Sequence, residues 1–246
     1  MAGTGRESLP EKIVEVSRRL GRGLADSGFG LVSGGWPGVD HIVARSFAEA
    51  VKETEGNLGK RLMQFMERGR TPDFPAGRFV TANSDREAWE QSIARAEAVI
   101  LVGGVGGTYG TGQIARRQGK PVLPIADTRD GNFSDAHRTY FEILDSWNTR
   151  PIAGLNREDF EDLSAPAPAV ATDVIRLLKR LFGLQPQRIS SPAAPRRPTT
   201  SAALDLWREK LSYLQQQEAI LADPVQKFAL KKQIEEIHDK INELGG

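Results

Sequence analysis

The chain has no cysteine, which excludes disulfides, thiolate nucleophiles and cysteine metal sites. Histidine is scarce: His41, His137 and His238 stand roughly a hundred residues apart, with no short ligand spacing between them, so no metal site is expected. Long apolar runs are missing too. Nothing approaches the roughly 20 residues of a membrane span, and Met1 to Glu11 lacks the apolar core of a signal peptide. The expectation is a cytoplasmic protein with no membrane partner. An excess of one charge is also absent. With 33 Lys and Arg against 32 Asp and Glu, the net charge of +1 leaves no basic surplus for a broad nucleic-acid surface. Any phosphate binding must therefore be local.

What is present is an alternation of helical and strand patterns. Ile13, Val16, Leu20 and Leu24 recur at helical spacing, and Gly28 to Gly30 end that helix before the strand in LVSGG. A helix over 40–53, the strand RLMQFM and the proline-containing loop ERGRTPDFPAG follow. After them come the strand RFVTAN, the helix DREAWEQSIARAE and the strand AVILVGG. A helix around Gln113 to Gln118 and the strand PVLPIA continue the series, and AHRTYFEILDSW and ATDVIRLLKRLFG read as covering helices. Strands and helices alternating at this spacing predict an α/β fold over residues 1–182: a Rossmann-like parallel sheet with right-handed crossovers and helices on both faces. The first helix requires a strand before it. MAGTGRESLP offers no apolar run, so Gly3 and Gly5 read as the loop after a first strand that is expected to lie upstream.

Residues 183–200 are rich in proline and read as an extended linker, with Arg188, Arg196 and Arg197 as solubilising charges. Residues 201–246 carry two amphipathic stripes, Leu204, Trp207, Leu211 and Leu214, then Phe228, Ile234, Ile237, Ile241 and Leu244. Asp223 as N-cap and Pro224 at the first helical position divide them into a helical hairpin. A hairpin this small gains most by docking. It can dock on its own domain, in a dimeric coiled coil, or on another protein with a similar hairpin, and Lys231, Lys232, Glu235 and Glu236 are the positions where charge would select the partner.

Two glycine turns carry the functional reading, SGGWPGVDH (Ser33 to His41) and GGVGGTYG (Gly103 to Gly110). Each follows an apolar strand and opens a helix, so backbone amides can approach a phosphate with no Cβ in the way and with the helix dipole in support. Ligands of open α/β sheets sit beyond the carboxyl ends of the strands, where both turns would lie. The expectation is a nucleotide-derived ligand bridging the two. Ser33, Gly34, Gly35, Trp36, Gly38 and Asp40 would contact it from the first turn, and Gly103, Gly104, Gly106, Gly107, Thr108, Tyr109 and Thr111 from the second. Arg70 and Arg86 are the candidate phosphate cations. Arg70 is preferred over Arg68 because it precedes the proline-fixed TPDFP, whereas Arg86 either points at the ligand or caps a surface. Trp36 and Tyr109 either stack on a base or plug the sheet edge.

LVSGGWPGVDHIVARSF followed by DREAWEQSIARAEAVILVGGVGGTYG resembles the SLOG superfamily over about residues 1–150. This Rossmann-like group includes LONELY GUY-type cytokinin phosphoribohydrolases, lysine decarboxylase-like proteins and the DNA-processing protein of natural transformation. The family enzymes carry a loop of proline, glycine, glycine, any residue, glycine, threonine, two further residues and a catalytic glutamate, assisted by an upstream arginine. Aligned through Thr108, that loop puts Gly103 at the proline, Gly104 and Gly107 at glycines, Val105 at a glycine and Thr111 at the glutamate. A ribosyl hydrolase needs a carboxylate to stabilise an oxocarbenium-like centre or activate water, and threonine does neither at neutral pH. No catalytic residue is therefore assigned and no cofactor is expected.

The segment LWREKLSYLQQQEAILADPVQKFALKKQIEEIHDKINELG resembles the small helical effector-associated domains of bacterial conflict systems. Related antiviral SLOG domains are read as receptors for nucleotide signals such as cyclic ADP-ribose isomers. Together the resemblances imply a sensor-adaptor, homo-oligomeric, that binds an ADP-ribose-like signal and recruits an effector protein through residues 201–246. The alternatives are a nucleotide N-ribosyl hydrolase, with Asp40 or Asp85 in place of the lost glutamate, and a single-stranded DNA-binding protein.

Overall fold

A computed structural model describes residues 1–129 and 133–184, together with 207, 208, 211, 212, 214, 215, 231, 234, 235, 237–239, 241 and 242. The chain divides into two compact units, Met1–Pro186 and Gln187–Gly246. In the first unit the order is β1 (Ala2–Gly3), α1 (Glu11–Asp26), β2 (Leu31–Ser33), α2 (Val39–Glu53), α3 (Leu58–Arg61), β3 (Leu62–Glu67) and β4 (Arg78–Ala82). It continues with α4 (Asp85–Arg95), β5 (Val99–Val102), α5 (Gly107–Arg117), β6 (Val122–Ile125), α6 (Asp135–Asp145), α7 (Arg157–Glu161) and α8 (Val170–Leu181).

The strands form two three-stranded sheets, β1-β5-β6 and β2-β3-β4, every pairing parallel. β2 and β3 are joined through α2 and α3, and β5 and β6 through α5, the βαβ arrangement expected of a Rossmann-like fold, whereas the loop 68–77 alone joins β3 to β4. The apolar runs explain the layering. All four residues of β5 and of β6 are buried, as strands covered on both faces must be. Ile13, Val16, Leu20 and Leu24 put one face of α1 into the core, where α1 packs on α2 and on α8. Helix α4 lies against β3, and α5 and α6 against β5 and β6.

The first strand corrects the expectation drawn from MAGTGRESLP. Ala2 and Gly3 themselves pair with Leu101 and Val102 of β5, and Thr4 extends the ladder to the Val102 carbonyl at 3.2 Å. The Met1 amine donates to Val32 of β2 at 2.9 Å, so the same few residues touch both sheets. Two small residues make no apolar run. A Cβ on Gly3 would sit 2.5 Å from Val39 Cγ1, so this strand requires a residue without a side chain.

Helix entrances differ. Ser84 and Ser134 accept hydrogen bonds from Glu87 N and His137 N and cap α4 and α6, and Asn156 and Asp159 form a reciprocal capping box on α7. Helices α2 and α5, entered through the glycine turns, have no side-chain cap. In the second unit, Leu214, Ile237 and Ile241 are buried together, with Trp207, Leu211 and Ile234 packed against them. The linker 183–200 beyond Leu184, the Asp223–Pro224 junction, Lys232 and Glu236 lie outside the described residues.

Candidate functional site

The second glycine turn leaves β5 at Gly103 and Gly104, whose φ angles are +63° and +94°. Its entrance is held from three other segments. The Gly103 amide donates to Thr128 Oγ1 and the Gly104 amide to Thr4 Oγ1, both at 2.7 Å. Their carbonyls accept from Ala136 N at 2.9 Å and Asp135 N at 2.8 Å, and Asp135 Oδ2 accepts from Tyr109 N at 2.9 Å. A Cβ on Gly104 would lie 2.2 Å from Thr108 Oγ1, so only glycine fits there. Beyond this clamp, Val105 is 66% exposed, and Gly106 and Gly107 lead into the uncapped start of α5. The first-turn amides of Gly107 and Thr108 have no intrahelical carbonyl to reach. This end of the turn is thus free to receive an anion along the helix axis.

The first turn is filled by its own chain. Asp40, in the opening turn of α2, is only 5% exposed. Its Oδ2 accepts from Gly34 N at 2.9 Å and lies 3.5 Å from Trp36 N, while Ser33 Oγ accepts from Gly35 N at 3.1 Å. Burial pushes the Asp40 carboxyl above its ordinary value, against the pull of the Met1 ammonium and of these amides. The loop TPDFP closes over the turn: Asp73 N donates to Gly35 O at 3.0 Å, and Asp73 Oδ2 meets His41 Nδ1 at 2.6 Å. Gly38, at φ +76°, passes so close to Thr4 that a Cβ would be 2.3 Å from the Thr4 carbonyl oxygen.

Between the turns, at the carboxyl ends of β1, β2 and β5, lies a cleft of about 180 Å³. Gly34, Trp36, Asp40, Gly107, Thr108 and Thr111 line it, so six of the fifteen residues singled out from sequence meet there. Ser33, Gly35, Gly38, Gly103, Gly104 and Gly106 shape the turns without lining the cleft. Three side chains are placed elsewhere. Arg70 stacks on the Trp36 ring, 3.4 Å from its centroid, and pairs with Asp85 at 2.9 Å. Arg86 is 84% exposed and pairs with Glu90 one turn along α4. Tyr109 faces α6, where its hydroxyl donates to Glu142 at 2.9 Å and Arg138 covers its ring; burial and that hydrogen bond push the hydroxyl pKa up.

Sequence reasoning missed Trp89 and Ser92, which α4 presents to the cleft. The available signal was their spacing, three residues apart on the helix that leads through β5 into the second glycine turn. A second cavity, about 200 Å³, opens near Leu31, Met63 and Ile100, at or near the amino-terminal ends of β2, β3 and β5. Its Arg61 guanidinium already donates to the carbonyls of Ala25 and Phe29 at 2.7 and 2.8 Å. Among the described residues, no group of three or more His, Asp or Glu is placed to hold a metal ion, and no helix is long and apolar enough to cross a membrane.

A parallel, helix-flanked α/β sheet with a glycine-turn cleft at its carboxyl edge defines a Rossmann-like protein of the nucleotide-binding type. The family is more specific: the SLOG cluster4 family model matches residues 1–148, and the chain belongs to that family. A search of the curated proteins finds no match. Among solved structures, the chain is similar to TM1055, a structural-genomics target solved by X-ray crystallography, at 22% identity and a TM-score of 0.44, over 52% of this chain and 73% of that one.

Proposed function

We propose that the chain is a sensor-adaptor. It holds the phosphate of a nucleotide-derived, ADP-ribose-like signal at the start of α5, leaves the ligand intact, and engages an effector protein through residues 201–246. The observation that carries this reading is the chemistry of the cleft. Asp40 is the one acid among its lining residues, and its Oδ2 is occupied by the amides of the first turn. Where the family's hydrolases carry glutamate stands Thr111, whose hydroxyl donates to the Gly107 carbonyl at 3.1 Å. Such a site has amides for a phosphate, while its one carboxylate is tied to the first turn through Oδ2 and no acid stands at the family's glutamate position. The small apolar core of the second unit, separate from the cleft-bearing unit, supports its use as a docking element.

One observation favours a hydrolase instead. Asp40 borders the cleft, and a carboxyl there could serve a leaving base. Native mass spectrometry with nucleoside monophosphates, ADP-ribose and its cyclic isomers separates the two readings and reports the expected homo-oligomer. The sensor reading requires a bound, unaltered ligand. Steady release of free base, lost in Asp40→Asn, would replace it with the hydrolase. For the adaptor half, pull-downs from the native cell should recover partners with the intact chain and lose them with Glu235→Lys.

A further inference from the structure

We infer that Trp36 and Trp89 form an aromatic slot that reads the base of the ligand, so that the cleft selects nucleoside phosphates over bare sugar phosphates; this rests on the phosphate reading above. Each indole lies against a glycine of one turn. A Cβ on Gly34 would be 2.8 Å from Trp36 Cδ1, and a Cβ on Gly107 would be 3.7 Å from Trp89 Cζ2 and Cη2. Both rings line the cleft, both are half-buried, and no ring contact joins them among the described residues. Each therefore leaves indole surface facing the cleft instead of packing in the core, where an aromatic of this size would contribute most to stability.

One side of Trp36 is already covered. The Arg70 guanidinium lies on it and is fixed by Asp85, one helical turn before Trp89 on α4. A single ion pair thus ties the support of one indole to the helix that carries the other. A phosphate held by the α5 amides gains nothing from indoles, whereas a nucleobase gains stacking of every sequence type. A second observation bears on the ligand: Asp40 Oδ1 is buried with no hydrogen-bond partner at the same cleft. It calls for a donor, which a ribose hydroxyl or a base amino group supplies and inorganic phosphate at its dianionic charge does not, so it points to a sugar-bearing ligand and leaves the choice between nucleoside and sugar phosphate to the indoles. At about 180 Å³, below the roughly 300 Å³ at which pockets enclose drug-sized ligands, the cleft has room for a base-sized group and not for a whole dinucleotide-sized ligand.

The test uses the full chain and two probes, AMP and ribose 5-phosphate, titrated by calorimetry. AMP should bind about tenfold or more tightly than ribose 5-phosphate, and Trp89→Leu should erase that preference by weakening AMP alone. Trp89→Phe, which keeps an aromatic face, should retain most of it. Independently of any variant, AMP should quench the tryptophan fluorescence of the unmodified protein and ribose 5-phosphate should not. Equal affinity for the two probes, or an AMP preference unchanged in a folded Trp89→Leu, overturns the base-reading slot and leaves the phosphate site standing. Binding of neither probe overturns both.

Discussion

The two glycine turns look alike in sequence and are chemically opposite. Each follows a short strand, opens an uncapped helix and presents amides at the same edge of the fold. In the first, Asp40 bends back and supplies the anion itself, and TPDFP seals the outside. In the second, the hydrogen bonds with Thr4, Thr128 and α6 fasten the entrance, Asp135 takes the Tyr109 amide, and the amides of Gly107 and Thr108 are left over. A glycine-rich βα turn is thus an anion site only where the chain has not already provided the anion. What differs is where the chain's own carboxylate lands: Asp40 meets the amides of the turn itself, whereas Asp135 meets only Tyr109, inside the helix.

The largest expected effect separates the glycines of the second turn. Gly104→Ala forces a Cβ into Thr108 at φ +94° and should destabilise the domain by about 2–4 kcal/mol in denaturant titrations. Gly107→Ala, whose Cβ would meet Trp89 only at ordinary van der Waals distance, should stay within about 1 kcal/mol of the parent. Equal losses would mean that the strain account of this turn is wrong. Next, Asp40→Ala empties the first turn and should cost about 1–3 kcal/mol, because two buried amides lose their acceptor. If the two turns differ only by that carboxylate, sulfate should raise the melting temperature of Asp40→Ala more than that of the parent; identical sulfate responses would break the comparison.

Arg70→Ala should cost about 1 kcal/mol, from the stack on Trp36 and a partly exposed ion pair. Its effect on ribose 5-phosphate affinity should be under about twofold; a tenfold loss, ~1.4 kcal/mol, would restore Arg70 as a phosphate ligand. The smallest effect is a pH dependence. Asp40's folded pKa is raised, so its protonated form favours folding. That contribution is complete below the ordinary carboxylate value, about 3.9, and is lost as pH rises through the raised value. The parent should therefore gain stability relative to Asp40→Asn as pH falls across that window, read from melting temperatures in parallel buffers. A constant difference would deny the burial effect.

Much of the fold could be read from the chain because β5 and β6 are unbroken apolar runs and the α1 stripe is long enough to show its period. Strand β1 could not, since Ala2 and Gly3 are defined by what they pair with and carry no pattern of their own. The cleft was half legible. Glycine spacing located both turns, but spacing does not show which way a helical side chain faces. Tyr109 therefore looked like a base-stacking residue although it packs on α6, and Trp89 was passed over although it borders Gly107. Asp40 is a similar case: sequence finds a carboxylate near a glycine turn, and only geometry shows that it points inward at the turn's own amides.

The clamp at Gly103 and Gly104 has a consequence for rates. Four hydrogen bonds from three distant stretches of chain hold the entrance of the turn before any ligand arrives. Little ordering is left to be done on contact, so association should be a single collision-limited event whose observed rate climbs linearly with concentration. Differences among ligands would then be written almost entirely in how long each one stays.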